Sequence, residues 1–118
     1  MLASSDDLAR RAAQRLSGDL GRNLPATVEA QLQGDGAVPG RYDPATLIAL
    51  ATLVLNVAKF AWDIYRDHKK DAKALPSQDA IARRIRLELN VDENVPLEQR
   101  DKIIAVVVDE VMKDTTLR

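Results

Sequence analysis

His68, the only histidine of the chain, stands close to the carboxylates of Asp67 and Asp71. An imidazole beside carboxylates can hold a metal ion or act as a general base. The surrounding positive charge opposes a bound cation, and it comes from Lys69, Lys70 and Lys73. We therefore interpret this cluster as a solvated helix end, and expect neither a metal site nor a catalytic base there.

The sequence offers no catalytic nucleophile either. No histidine is near the serines in sequence, and no GxSxG or SxxK motif surrounds them. These serines are Ser4, Ser5, Ser17 and Ser77. The chain has no cysteine, which excludes thiol catalysis, cysteine zinc sites and disulfides. We expect a protein that is not an enzyme and that has no cofactor, no metal and no small-molecule substrate.

Two charged segments resemble ligand sites only superficially. The segment DENVPLEQRDK, residues 92–102, is acidic enough for a calcium loop, but Leu97 stands where that loop needs glycine and Pro96 replaces a ligand. A small basic patch consists of Arg83, Arg84 and Arg86. Acidic residues follow this patch, no aromatic is interleaved for base stacking, and the whole chain has a net charge of −1. We therefore expect no nucleic-acid partner.

The dominant feature is the run DPATLIALATLVLNVAKFAWDIY, residues 43–65, which is apolar on almost every side. Asp43 and Pro44 form a favourable helix start, and nothing breaks the helix before Pro76. We predict one long helix from Pro44 to about Lys73, roughly 45 Å long at ~1.5 Å per residue. Its exposed side is a polar stripe, which consists of Thr52, Asn56, Lys59, Asp63, Arg66 and Lys70.

The other sides of this helix are apolar and must be covered. We predict that the C-terminal helices cover part of them and that a second copy or another protein covers the rest. The predicted interface lies away from the polar stripe and consists of Leu50, Leu53, Leu55, Val57, Phe60, Trp62 and Ile64. A variant of this hypothesis is an immunity or antitoxin protein, in which the partner is a toxin.

Insertion into a membrane is the alternative way to bury the apolar sides of the long helix. Residues 44–65 would insert, with Trp62 and Tyr65 at the lipid interface and basic residues beyond them. Lys59 and Asp63 interrupt this span, and an uncharged run from Pro44 to Ala58 is shorter than the ~20 residues that a bilayer core needs. We therefore favour a protein interface over insertion.

The segments before the long helix predict an amphipathic N-terminal arm. Ser4 or Ser5 can cap a helix that carries Leu8, Ala12, Leu16 and Leu20 on one face. Asn23 before Leu24 and Pro25 can start a second, short helix that ends near Leu32. The stretch GDGAVPG, residues 34–40, is rich in turn residues. We expect one domain, 1–118, with a helical arm at 1–33, a flexible connection at 34–42 and a helical core at 43–118.

The C-terminal third predicts two more helices. Ser77 can cap the first, which carries Ile81, Ile85 and Leu89 on one face. Pro96 can open the last, which runs to about Asp114. Its predicted inward residues are Leu97, Ile104, Val107, Val108 and Val111. A hairpin over 84–108 is the alternative, because residues 85–91 alternate and the run IIAVVV is β-branched. The flanks DAIARR and PLEQRDK favour helices, and with them an all-α bundle around the long central helix.

Two motifs, YDPATLIALATLVLNVAKFAWDIYRD and RDKIIAVVVDEV, carry a resemblance that spans about residues 42–112. In pattern they resemble small helical proteins encoded beside the effectors of bacterial conflict systems. Those effector-associated and protease-co-occurring adaptor modules are thought to recruit or regulate caspase-like, trypsin-like or NTPase partners. The resemblance implies an adaptor with a protein partner in bacterial defence, and it assigns no site residue. The start MLASSDDLARR has acids where a secretory signal needs basic residues, so we expect a cytoplasmic protein.

Overall fold

The computed structural model describes residues 4–34, 44–70, 77–89 and 95–116, and these contain five helices and no strand. The helices are α1 (Ser5–Leu20), α2 (Leu24–Leu32), α3 (Pro44–Lys70), α4 (Gln78–Glu88) and α5 (Leu97–Thr116). The predicted all-α class is confirmed. The hairpin alternative over 84–108 is wrong for the described part of that region. The predicted flexible connection at 34–42 lies outside the described residues, apart from Gly34.

Polar side chains and a glycine set the helix boundaries. Ser4 accepts a hydrogen bond from the backbone N–H of Asp7 at 3.3 Å, so Ser4 caps α1. The α1 helix ends at Leu20 because Gly21 has a φ of 122°, a backbone conformation that favours glycine. Ser77 accepts from the backbone N–H of Ala80 at 3.2 Å and caps α4. This cap satisfies an orphan helix donor, which favours a helix over the competing strand.

The central α3 helix is 27 residues long and contacts all four other helices. Its described part reaches Lys70, and the predicted continuation to about Lys73 lies outside the described residues. The polar stripe lies on its surface as predicted: Thr52, Asn56, Lys59 and Arg66 are exposed and Asp63 is half-buried. The side chain of Lys70 lies outside the described residues. Most of the other described side chains of α3 are buried in the bundle.

The α1 helix, which forms most of the predicted N-terminal arm, packs into the core of the bundle. Its inward residues are completely buried and consist of Leu8, Ala9, Ala12, Ala13 and Leu16. The helix packs against α2, α3 and α5. Three of the five residues are alanines, whose small side chains let neighbouring helix backbones approach closely. The predicted apolar face with Leu8, Ala12 and Leu16 therefore lies in the core.

The α5 helix places most of its predicted inward residues in the core. Ile104, Val107, Val108 and Val111 are buried. Leu97 was also predicted to point inward, and this is wrong, because Leu97 is 64% exposed. Val95, which precedes the helix, is buried at this end of the bundle instead. On α4, Ile81 and Ile85 are buried as predicted, and Leu89 is half-buried just beyond the end of that helix.

Candidate functional site

Three of the four serines have structural roles in the described structure. Ser4 and Ser77 are helix caps, and the Ser17 hydroxyl donates to the Gln14 carbonyl in its own helix at 2.8 Å. Asp67 is exposed, whereas the side chain of His68 lies outside the described residues. Within the described ranges, no group of three histidine, cysteine or acidic side chains is arranged to hold a metal ion.

One arginine of the basic patch on α4 contacts a neighbouring helix. Arg84 lies over the ring of Phe60 on α3, with its guanidinium carbon 5.8 Å from the ring centroid. Its Nε also faces the Glu88 carboxylate at 3.4 Å. A guanidinium over an aromatic face is attracted by the ring quadrupole. Arg84 therefore joins α4 to α3, and the predicted absence of a nucleic-acid partner stays a prediction.

A groove of about 440 Å³ lies between α1, α4 and α5. Its apolar lining is made of short side chains, among them Ala82, Ala105 and Val106. Its polar lining includes Arg15 and Asp109, which form an ion pair at 2.7 Å. Arg15 also contacts the buried carboxylate of Glu110 at 2.9 Å. Since these charges are used to join α1 to α5, we interpret this part of the groove as structural.

Asp109 is the centre of this ion-pair cluster. Arg15 on α1 and Gln78 on α4 both donate to its carboxylate, the second at 3.2 Å, and Lys113 lies 3.4 Å away on the same helix. The hydrogen bond from Arg15 is the largest cause that lowers the pKa of Asp109 below its ordinary value. The same contact raises the pKa of Arg15. The cluster thus couples the packing of three helices to the ionisation of one carboxyl group.

This cluster predicts a loss of stability in acid. Because the folded-state pKa of Asp109 is lowered, its contribution is fully present above the unfolded value near 3.8 and is lost as pH falls through the folded value. We expect Asp109→Asn to reduce the free energy of unfolding at pH 7, and the difference from the parent protein to shrink below about pH 4. Urea titrations monitored by circular dichroism at several pH values measure this. Arg15→Gln should show the same pattern, whereas a pH-independent difference would contradict the assignment.

The seven residues of the predicted interface divide into two groups. Four are buried in the bundle of the chain itself: Leu50, Leu53, Val57 and Ile64. The other three, Leu55, Phe60 and Trp62, are only partly buried. Phe60 lies beneath Arg84, and the ring of Trp62 packs against Tyr65 with centroids 5.4 Å apart. The first group is therefore occupied by intramolecular packing, and only the second remains accessible to a partner.

Two of the accessible residues belong to a longer apolar row on α3. Ile48, Leu55 and Trp62 are spaced seven residues apart, so they lie along one side of the helix. Ile48 is 39% exposed, and the other two are partly exposed. We call these three residues the surface row. Thr52, Lys59 and Arg66 of the polar stripe run beside it at the same spacing.

The sequence prediction missed Ile48. Its seven-residue spacing from Leu55 and Trp62 was the available signal. In a run that is apolar on nearly every side, this spacing does not stand out from several similar rows, such as Leu50, Val57 and Ile64. The two other large apolar residues with high exposure in the described structure, Leu87 and Leu97, belong to α4 and α5.

The α3 helix is also long and apolar enough to cross a membrane. The candidate span is Ile48–Asp67, with a mean hydropathy of 1.4, and 56% of the tested window is buried inside the bundle. The core helix of a globular protein has the same properties, so this observation is weak support for a membrane span. Insertion would require α3 to exchange its buried contacts with four helices for lipid.

Comparison with known proteins adds no assignment to this geometry. No protein-family model, curated protein or solved structure matches the chain. The site must therefore be judged from its own residues, and its main feature is the partly exposed surface row beside a charged stripe.

Proposed function

We propose that this protein is a non-enzymatic interaction module that docks another protein chain through the exposed face of α3. The surface row carries this proposal. Ile48, Leu55 and Trp62 lie about two turns apart along one side of a helix whose opposite side is buried in the core. Helix-to-helix recognition uses apolar anchors at such spacings, with polar residues along the rim. A protein partner would bury the row without disturbing the bundle.

The wider role follows from the resemblance of residues 42–112 to adaptor modules of bacterial conflict systems. On this basis we propose a cytoplasmic adaptor that brings an effector to its site of action. An immunity protein that inhibits a toxin would use the same docking face, so it is a variant of this proposal. Both roles need binding through α3 and neither needs a reaction at this surface.

A membrane-active protein is the second candidate, because Ile48–Asp67 has the length and hydropathy of a membrane span. Lys59 and Asp63 would then have to pair or reach the lipid interface. This candidate predicts that the face of α3 contacts lipid, whereas our proposal predicts that it contacts protein.

Site-specific photo-crosslinking in the native cell distinguishes these candidates. A benzophenone amino acid at Asn56 stands on the exposed stripe and leaves the surface row intact. We expect irradiation to produce a protein adduct of defined mass from position 56. The same group at Gln14, an exposed position on α1, serves as the control and should produce none. Adducts with lipid would favour the membrane candidate, and equal adducts from both positions would contradict a specific docking face.

A further inference from the structure

We propose that the partner of the α3 face is a second copy of this chain, in which the two α3 helices lie antiparallel. This inference rests on the proposed function and names its partner. It is carried by the charges of the stripe beside the surface row. Lys59 and Asp63 lie one helical turn apart on this face. Lys59 has no ion-pair partner within the described ranges, and Asp63 contacts only its helix neighbour Arg66, at 3.5 Å.

When two copies of this stripe are placed antiparallel, their charges are complementary. The four polar residues Asn56, Lys59, Asp63 and Arg66 follow one another at spacings of three, four and three. A two-fold axis level with residue 61 places Lys59 of each copy opposite Asp63 of the other, and Arg66 opposite Asn56. Each pair combines a cation with a carboxylate or an amide, and no like charges face each other directly.

A parallel arrangement of the same face is unfavourable. It would place Lys59 against Lys59 and Asp63 against Asp63 of the second copy. Like charges in direct opposition disfavour a pairing, which is how charged positions select helix orientation in coiled coils. The charges therefore select the antiparallel arrangement.

The surface row agrees with the same axis. A two-fold axis perpendicular to antiparallel helices brings the same edge of each helix together, so the edge with Leu55 and Trp62 meets its own copy. With the axis level with residue 61, the two Trp62 residues lie about 3 Å apart along the helix axis, at ~1.5 Å per residue. Each Leu55 then lies about 7.5 Å along the axis from the second copy's Trp62. An apolar cluster and two charge pairs form around one axis.

Charge exchange at this axis tests the inference. We expect the parent protein to form dimers in size-exclusion chromatography with light scattering. In the single variants Lys59→Asp and Asp63→Lys, two attractive pairs become repulsive, and the dissociation constant should rise at least about tenfold. An equimolar mixture of the two variants should dimerise again, and so should the double variant. Arg11→Asp, at an exposed position of α1, makes the same change of charge as Lys59→Asp and should leave dimerisation unchanged. Circular dichroism verifies that each variant is folded.

Disulfide trapping tests the orientation, since the chain has no native cysteine. In the antiparallel dimer the two Asn56 positions lie about 15 Å apart along the axis, too far for a disulfide, whose Cα atoms are less than ~7 Å apart. We expect Asn56→Cys and Arg66→Cys to cross-link when they are mixed and not when each is alone. A disulfide between two copies of the same variant would overturn the antiparallel arrangement.

The failure of this inference is distinguishable from failure of the proposed function. The parent protein could stay monomeric while position 56 cross-links to a protein of another mass. That result would overturn a second copy as the partner and would support the proposed docking face. Dimers that are unaffected by the charge reversals also overturn the inference. No adduct from position 56, together with a monomer at every concentration, overturns both proposals.

Discussion

Replacing Leu16 by alanine is expected to lower the free energy of unfolding by about 2–5 kcal/mol. Leu16 is completely buried on α1, and that helix packs against α2, α3 and α5. Removing the side chain leaves a cavity that the surrounding helices can fill only in part. Urea denaturation monitored by circular dichroism measures the loss. If α1 were an independent arm, the main unfolding transition would be unaffected.

The control for this prediction is Gln14→Ala on the same helix. Gln14 is exposed, and the hydrogen bond at this residue uses its backbone carbonyl, which the substitution leaves in place. Surface substitutions of this kind change stability by about 0.5 kcal/mol or less. Equal losses at positions 14 and 16 would show that α1 does not contribute to the core through its inward face.

A second large effect is expected at Leu53 on α3. Leu53 is 4% exposed, and Leu53→Ala should reduce the free energy of unfolding by about 2–5 kcal/mol. Leu55→Ala makes the same side-chain change on the surface row, two residues further along α3. Because it is only partly buried, Leu55→Ala should reduce stability by about 1 kcal/mol or less. Chemical denaturation of the two variants under identical conditions gives the comparison.

The same pair of variants separates folding from association. We expect Leu55→Ala to weaken the contact between α3 helices while the bundle stays stable. Leu53→Ala should instead destabilise the bundle, with no direct effect on a docking face that it does not reach. Trp62 is the only tryptophan of the chain and lies on the surface row, so its fluorescence reports burial of this face. If Leu53 and Leu55 had equal effects in both measurements, the division of α3 into a core side and a docking side would be wrong.

Local chemistry accounts for the parts of the fold that were predictable. Ser4 and Ser77 cap helices because their hydroxyl oxygens accept orphan backbone N–H groups within the same turn. Gly21 ends α1 because a φ of 122° strains any residue with a Cβ atom. The polar stripe lies on the surface of α3 because charged side chains on one helix face are costly to bury. Each of these effects acts between residues near in sequence, so the amino-acid order reveals it.

The division of the apolar residues depended on packing between distant segments. Leu53 and Leu55 are the same residue type two positions apart, and a run that is apolar on nearly every side does not indicate which of them the bundle covers. Leu53 is buried in the bundle and Leu55 is only partly buried, since the other helices pack around one side of α3. The sequence was therefore sufficient for the helical class, the capped starts of α1 and α4 and the polar stripe. The choice of core side and docking side required the tertiary structure, because burial is a property of how separate helices fit together.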